Sequence, residues 1–362
     1  MNRRYDIDWL RTIAIGLLII YHVAIGFQPW GLMVGFITNE ESWLSLWLPM
    51  SMLNVWRIPL LFFVSGMGVF FAMQQRTMKQ LLGERSLRIF LPFVFGSVCI
   101  FPISTLILQQ YHGWELTYQP NPGHLWFLGN IFAYVVILAP LFFYLKNSTE
   151  NKFVRILKRI LTTPTGLIPF VALFVAEAVL MKPFPYELYA MTWHGFALGF
   201  IAFFSGFCFV LVGNVFWRMI SKWRWFFLCF AFGLFILRSV YTGTANPVYL
   251  LVIESNCWIF SVLAFSYKHL NRSGRTLSYL SEAAYPVYIN HMIFLYLGSW
   301  IIFPLDIPVW SKFILLAMFT VAGCFAAFEV IRRVGFLRML FGLKIKTPGR
   351  IQENKTARQI IA

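Results

Sequence analysis

Residues 8–27 read DWLRTIAIGLLIIYHVAIGF. The run from Ile13 to Phe27 is apolar apart from Tyr21 and His22, and Arg3, Arg4 and Arg11 precede it. A charged start before an apolar core also describes a signal peptide, but no small-x-small cleavage site follows, so the segment is expected to stay as a first membrane span. Nine further apolar runs follow, at about 58–74, 89–109, 125–145, 164–181, 195–216, 225–241, 247–266, 284–302 and 312–331. Each is long enough to be a candidate for crossing a hydrocarbon core. The expected fold is therefore all-α: a polytopic integral membrane bundle of about ten transmembrane helices over residues 1–342, with a basic tail at 343–362. Trp43–Val55, short and interrupted by Pro49, is expected to be an interfacial helix leading into span 2.

Composition agrees. Of 362 residues 59% are hydrophobic and 12% charged, about half the usual charged fraction, and the mean hydropathy is +0.70. A water-soluble surface cannot be covered with so few charges, which excludes a soluble enzyme, a disordered chain and a coiled coil. The net charge of +16 would suggest nucleic acid in a soluble chain. Here its placement explains it. If the N-terminus is cytoplasmic and the spans alternate, twenty-six of the thirty Lys and Arg residues fall on the cytoplasmic side. Only Arg57, Lys182, Arg238 and Lys312 lie at or near the outer side, and the loop 110–123 has none. The positive-inside bias thus predicts a multi-pass protein of the plasma (bacterial inner) membrane, both termini cytoplasmic, whose partner is the lipid bilayer and not nucleic acid. The five cysteines lie apart in apolar runs with no CxxC pair, and no metal site is expected. The similar stretches Phe62–Gly66 and Phe203–Gly206 read as unrelated small-residue packing sites.

Ionisable groups within spans are costly and point to function. They are His22, Arg57, Glu177, Arg238, Glu254, Glu282, His291 and Glu329. Arg11 and His22 are eleven residues apart, just over three helical turns, so they share one face at an axial separation of about 16 Å. Asp8 lies one turn before Arg11 and can pair with it. This stripe suits an elongated anionic ligand, its charged end at Arg11 and its reactive end at His22, the side chain best suited to proton transfer near neutrality. The plainer reading makes Asp8 and Arg11 an interfacial anchor and His22 an interhelical hydrogen-bonding residue.

Asp8-Trp9-Leu10-Arg11…Tyr21-His22 resembles the R-X10-H signature of the membrane acyltransferase 3 family. Arg57 followed by Phe62-Phe63-Val64-Ser65-Gly66 resembles that family's second span. Arg85-Ser86-Leu87-Arg88 resembles its basic loop into the third, and Ser281-Glu282-Ala283-Ala284-Tyr285-Pro286-Val287-Tyr288-Ile289-Asn290-His291 its late S-Y-x-x-Y-x-x-H segment, with extra residues before the first Tyr. His124-Leu125-Trp126-Phe127-Leu128 is similar to the branch that contains the periplasmic glucan succinyltransferases. Spans 5 to 8 carry no matching motif.

The resemblance implies an acyltransferase with no bound cofactor. Acyl-CoA, the donor substrate, would acylate a hydroxyl of an extracytoplasmic glycan or glycolipid, as in O-acetylation or succinylation of a polysaccharide. His22 would be the general base, or alternatively carry the acyl group covalently; Arg11 would hold the donor and Asp8 orient Arg11. Arg85 and Arg88 would meet the nucleotide end of CoA, unless they only set topology. Arg57 would bind an anionic group, pair with Glu254 or Glu177, or snorkel. Ser65, with Gly66, reads more as a close helix contact than as a catalytic element. His124 and Trp126 would sit at the acceptor mouth or in an ordinary aromatic belt, with Tyr111, His112, Trp114 and Tyr118 nearby. Glu254 fits an acceptor-side acid or a counter-ion, and His291 fits packing or catalysis. A transporter or flippase of a glycan, lipid or small anion would share the spans and buried charges, and so would a non-catalytic sensor. The transporter gives no reason for the Arg11–His22 stripe, and only lost activity could support the sensor, because the motif set is intact.

Overall fold

A computed structural model describes residues 4–147, 151–240 and 247–344; residues 345–362, most of the expected basic tail, lie outside the described residues. Every regular element among those described is helical. In hydrocarbon no water can satisfy a free peptide group, so a spanning segment must close its hydrogen bonds within itself. The helices are α1 (Tyr5–Ile25), α2 (Trp47–Met73), α3 (Met78–His112), α4 (Trp126–Asn147), α5 (Lys152–Ile160), α6 (Ile168–Met181), α7 (Trp193–Leu211), α8 (Asn214–Lys222), α9 (Arg224–Val240), α10 (Val248–His269), α11 (Arg275–Ile302), α12 (Val309–Ile331) and α13 (Gly335–Leu340).

Among the described residues eight helices are long and apolar enough to cross a membrane, or nine if α8 and α9, bent by 60° to each other, form one span. They fall on the expected runs. The remaining expected run lies in α11, which has 28 residues; Asn290, His291 and its tyrosines make it the more polar helix, and it is largely enclosed by the bundle.

One local expectation is overturned. Trp43–Val55 is no separate interfacial helix: a short turn at Leu44–Leu46 leads straight into α2, which continues through Pro49 and Pro59. Pro49 sits in the first turn, where no intrahelical N–H is needed. Pro59 cannot donate to Val55. The freed Val55 carbonyl instead accepts from Ser255 Oγ at 2.7 Å and Tyr189 OH at 3.3 Å. Helix α3 is handled similarly. Wide π turns at Ser86–Phe90 and Gly96–Ile100 precede Pro92 and Pro102, and the Val98 carbonyl that Pro102 leaves free accepts from Tyr118 OH at 2.8 Å.

The small-residue stretches of α2 and α7 turn out to be partners. A Cβ on Gly66 would lie 1.9 Å from the Phe203 carbonyl oxygen, and one on Gly206 would lie 2.1 Å from that of Phe63. Each glycine admits the other helix's backbone, the small-residue approach used where lipid supplies no hydrophobic drive between helices. Phe62, Phe63, Phe203 and Phe207 fill the seam and are fully buried. This crossing fixes α2, and with it Arg57, against the bundle.

Candidate functional site

Helices α1, α2, α3, α4 and α11 and the loop 182–192 surround a cavity of about 1100 Å³. It reaches from Arg11 past His22 and Arg57 to Gln28, Trp30, Trp47, Gln119 and Glu187. The volume is at the upper end for a small-molecule site. Its walls are mostly apolar, with polar groups at intervals.

Helix α1 supplies one wall. It begins at Tyr5, so Asp8, Arg11 and His22 lie on one regular helix and the periodicity argument applies. Arg11 Nη1 is 3.7 Å from Asp8 Oδ1, the expected pair, and Arg11 and His22 both line the cavity.

Behind His22 stands His291 of α11. His22 Nδ1 lies 2.8 Å from His291 Nε2, and His291 Nδ1 lies 2.6 Å from the Tyr288 carbonyl oxygen. A carbonyl only accepts, so His291 Nδ1 carries a hydrogen and, in the neutral ring, His291 Nε2 is an acceptor. His22 Nδ1 must then donate. His22 Nε2 is left with its lone pair and no protein partner. The rings of His22 and His291 are near-parallel at 5.0 Å, and Phe36 meets His22 edge-on at 5.4 Å. His291 is fully buried, so this relay is shielded from water.

His124, on the turn before α4, joins the cluster, its ring 4.8 Å from that of His291. Its Nε2 donates to the Ile289 carbonyl at 3.2 Å, leaving the buried Nδ1 without a partner, and Tyr288 OH donates to the His124 carbonyl oxygen. Despite three neighbouring imidazoles, no His, Cys, Asp or Glu group among the described residues has the arrangement of a metal site.

Arg57 of α2 also lines the cavity, its guanidinium lying against α1. It is 1% exposed; its guanidinium carbon stands 4.0 Å from the centre of the Tyr21 ring, and its Nη1 donates to the Leu17 carbonyl at 3.4 Å. It pairs with neither Glu254 nor Glu177. Glu254 binds Arg238 through both carboxylate oxygens, at 2.8 and 2.9 Å, and Glu177 binds His194 at 2.8 Å. Neither glutamate lines the cavity, so Glu254 has the counter-ion position of its two sequence readings.

Ser65 and Trp126 also line the cavity. Ser65 Oγ donates to Leu61 O at 2.7 Å, within its own helix, and Trp126 packs on Phe62. Arg85 and Arg88 do not line the wall. Arg88 donates to Glu84 at 3.1 Å and to the Gly342 carbonyl at 3.2 Å. Arg85, its Nε without a partner, lies within electrostatic range of Arg11. His112 stacks on Trp114, and Tyr118 caps Val98; these loop aromatics serve local structure.

Sequence reasoning passed over the loop 182–192. It closes the end of the cavity away from Arg11 with Pro185, Glu187 and Tyr189. His194 anchors it, donating through Nδ1 to Glu177 at 2.8 Å and through Nε2 to the Tyr186 carbonyl at 2.9 Å. Burial pushes the Glu187 carboxyl and the Tyr186 phenol up from their ordinary values. The run Pro183–His194, with its two tyrosines and one glutamate in an otherwise apolar chain, carried the only available signal.

The fold is thus a helical membrane bundle in which a histidine nitrogen without a protein partner and an arginine share one cavity. A family model described as an acyltransferase domain, Acyl_transf_3, matches residues 4–329. The chain belongs to this acyltransferase family and is an acyltransferase that moves a non-aminoacyl group. No curated protein matches it, and no solved structure does.

Proposed function

We propose that the protein moves a short acyl group, acetyl or succinyl, from cytoplasmic acyl-CoA to a hydroxyl of an extracytoplasmic glycan or glycolipid. The observation that carries this reading is the bare Nε2 of His22, set by His291 and the Tyr288 carbonyl, at mid-length of a cavity with Arg11 at one end. Arg11 sits where the charged part of the donor would stop, with Arg85 within electrostatic range of it. The pantetheine arm then runs along α1 and brings the thioester towards His22. The acceptor enters past Trp30, Trp47, Gln119 and Glu187, whose flat rings, amides and carboxylate suit a sugar.

In the transfer step His22 Nε2 takes the proton of the acceptor hydroxyl as its oxygen bonds to the thioester carbonyl carbon. The C–S bond then breaks, and the departing sulfur takes that proton from His22. Throughout, Nδ1–H of His22 stays donated to His291, which holds the ring and stabilises the transient imidazolium. Acyl transfer through His22 itself would need the same bare nitrogen as a nucleophile.

Sealed membrane vesicles test the reading. Acyl-CoA labelled in its acyl group is supplied on the cytoplasmic face alone, and glycan and glycolipid are recovered from the other side. Label should appear there with wild type and be absent with His22→Ala. Movement of an intact substrate with no acyl transfer would contradict the reading in favour of transport.

A further inference from the structure

Five Asp, Glu or Arg side chains are buried among the described residues: Asp6, Arg57, Glu177, Glu254 and Arg338. Three have an ionic partner, Asp6 with Arg4, Glu254 with Arg238 and Arg338 with Glu282, and Glu177 is hydrogen-bonded to His194. Arg57 has none. Its contacts are the Tyr21 ring and one long bond to a carbonyl, and its Nε has no acceptor. A guanidinium taken out of water loses solvation that only charge or hydrogen bonds can replace. An unpaired cation on a cavity wall is therefore placed for an anion that arrives with the ligand.

Its position says which part of the ligand. Leu17 and Tyr21 are one turn apart on α1, and His22 follows Tyr21. Arg57 thus flanks the stretch of wall next to His22, and its two α1 contacts lie about 9 and 15 Å along the axis from Arg11. With the donor phosphates at the Arg11 end, the group that meets Arg57 is at the reacting carbon. There, negative charge develops on the thioester oxygen when the hydroxyl adds. A cation left unpaired in the resting enzyme contributes most when that charge appears, which is the condition for lowering a barrier and not merely tightening binding.

We propose that Arg57 is the oxyanion-binding group of the transfer step, which rests on the acyl-transfer reading above. As the hydroxyl oxygen bonds to the carbonyl carbon, the C=O electron pair moves onto oxygen beside the guanidinium, while His22 holds the hydroxyl proton. The pair returns as the C–S bond breaks, and the sulfur leaves with the proton from His22. Arg57 supplies charge and hydrogen bonds and exchanges no proton.

The experiment compares wild type, Arg57→Gln and Arg57→Lys in native membranes, following label from acetyl-CoA and from succinyl-CoA into membrane material, with thermal midpoints of the purified full-length proteins. Arg57→Gln should lower kcat for both donors by the same factor, on the order of 10²–10³. Donor KM should change little, and the midpoint should hold or rise, because an unpaired buried charge has been removed. Arg57→Lys should recover part of the rate with both donors. Loss confined to succinyl transfer would overturn the proposal and make Arg57 a carboxylate site for the acyl chain. A lowered midpoint, or failure to fold, with normal rate in Arg57→Lys would overturn it in favour of a structural cation. Absence of transfer by wild type from either donor would instead remove the acyl-transfer reading, an outcome the wild-type arm alone reveals.

Discussion

Nδ1 of His22 lies 2.8 Å from Nε2 of His291, across 269 residues of sequence. That bond, with the Tyr288 carbonyl behind it, decides which nitrogen of His22 the cavity meets. His291 is thus a positioning residue, in the role a carboxylate plays towards histidine in hydrolase triads. His291→Ala should lower kcat on the order of 10²-fold, the low end of what a positioned general base contributes, with little change in donor KM. His291→Gln, whose side-chain oxygen can still accept from His22, should recover much of the loss. Equal loss in both variants together with a lowered thermal midpoint would mark His291 as packing alone.

The α2–α7 seam depends on two missing methyl groups. Gly66→Ala or Gly206→Ala places a carbon inside the van der Waals shell of a backbone oxygen, which cannot swing away as a side chain does. Each should cost at least about 1–3 kcal/mol, seen as a lower midpoint and poorer yield in detergent. Gly233→Ala on α9, with nothing within 4 Å of the new carbon, should leave both unchanged.

The Arg238–Glu254 pair is structural on this account. Glu254→Gln leaves Arg238, whose side chain is 14% exposed, without its charge partner, at a cost of about 3–5 kcal/mol. Folded yield should drop while the rate per folded molecule stays near that of wild type. A folded Glu254→Gln enzyme with normal stability and lost transfer would return this carboxylate to the site.

Glu187 links pH to stability. Burial raises its carboxyl above the ordinary value of 4.5, so the folded protein holds this proton to higher pH than the unfolded chain does. The folded state then binds more protons, and stability falls as pH rises from about 4.5 through the raised value, beyond which the loss is complete. Glu187→Gln should flatten that part of a plot of thermal midpoint against pH. An unchanged slope in the variant would contradict this.

The sequence was legible where one helix settles the matter. The eleven-residue interval from Arg11 to His22 fixes a shared face as soon as α1 is helical, and lipid demands that it be so. The apolar runs likewise mark the spans, because every peptide group there must be satisfied internally. What sequence could not show is which helices meet. Gly66 and Gly206 looked like unrelated repeats until α2 and α7 were seen to cross at them. Glu254 looked available until Arg238, sixteen residues earlier on the neighbouring helix, was seen to hold it. Glu187 escaped notice because a loop has no periodicity to give its side chain a direction. Trp43–Val55 was misread because Pro49 resembles a break, yet it costs nothing in a first turn.

The central claim is that His22 Nε2 performs the proton transfer of acylation. The most direct measurement is the initial rate of acyl transfer from labelled acyl-CoA by wild type and by His22→Gln, at matched folded amounts in the same membranes. Transfer by the variant should fall by about 10²–10⁴-fold, with donor binding and thermal midpoint retained. A His22→Gln protein that transfers at the wild-type rate would contradict that claim.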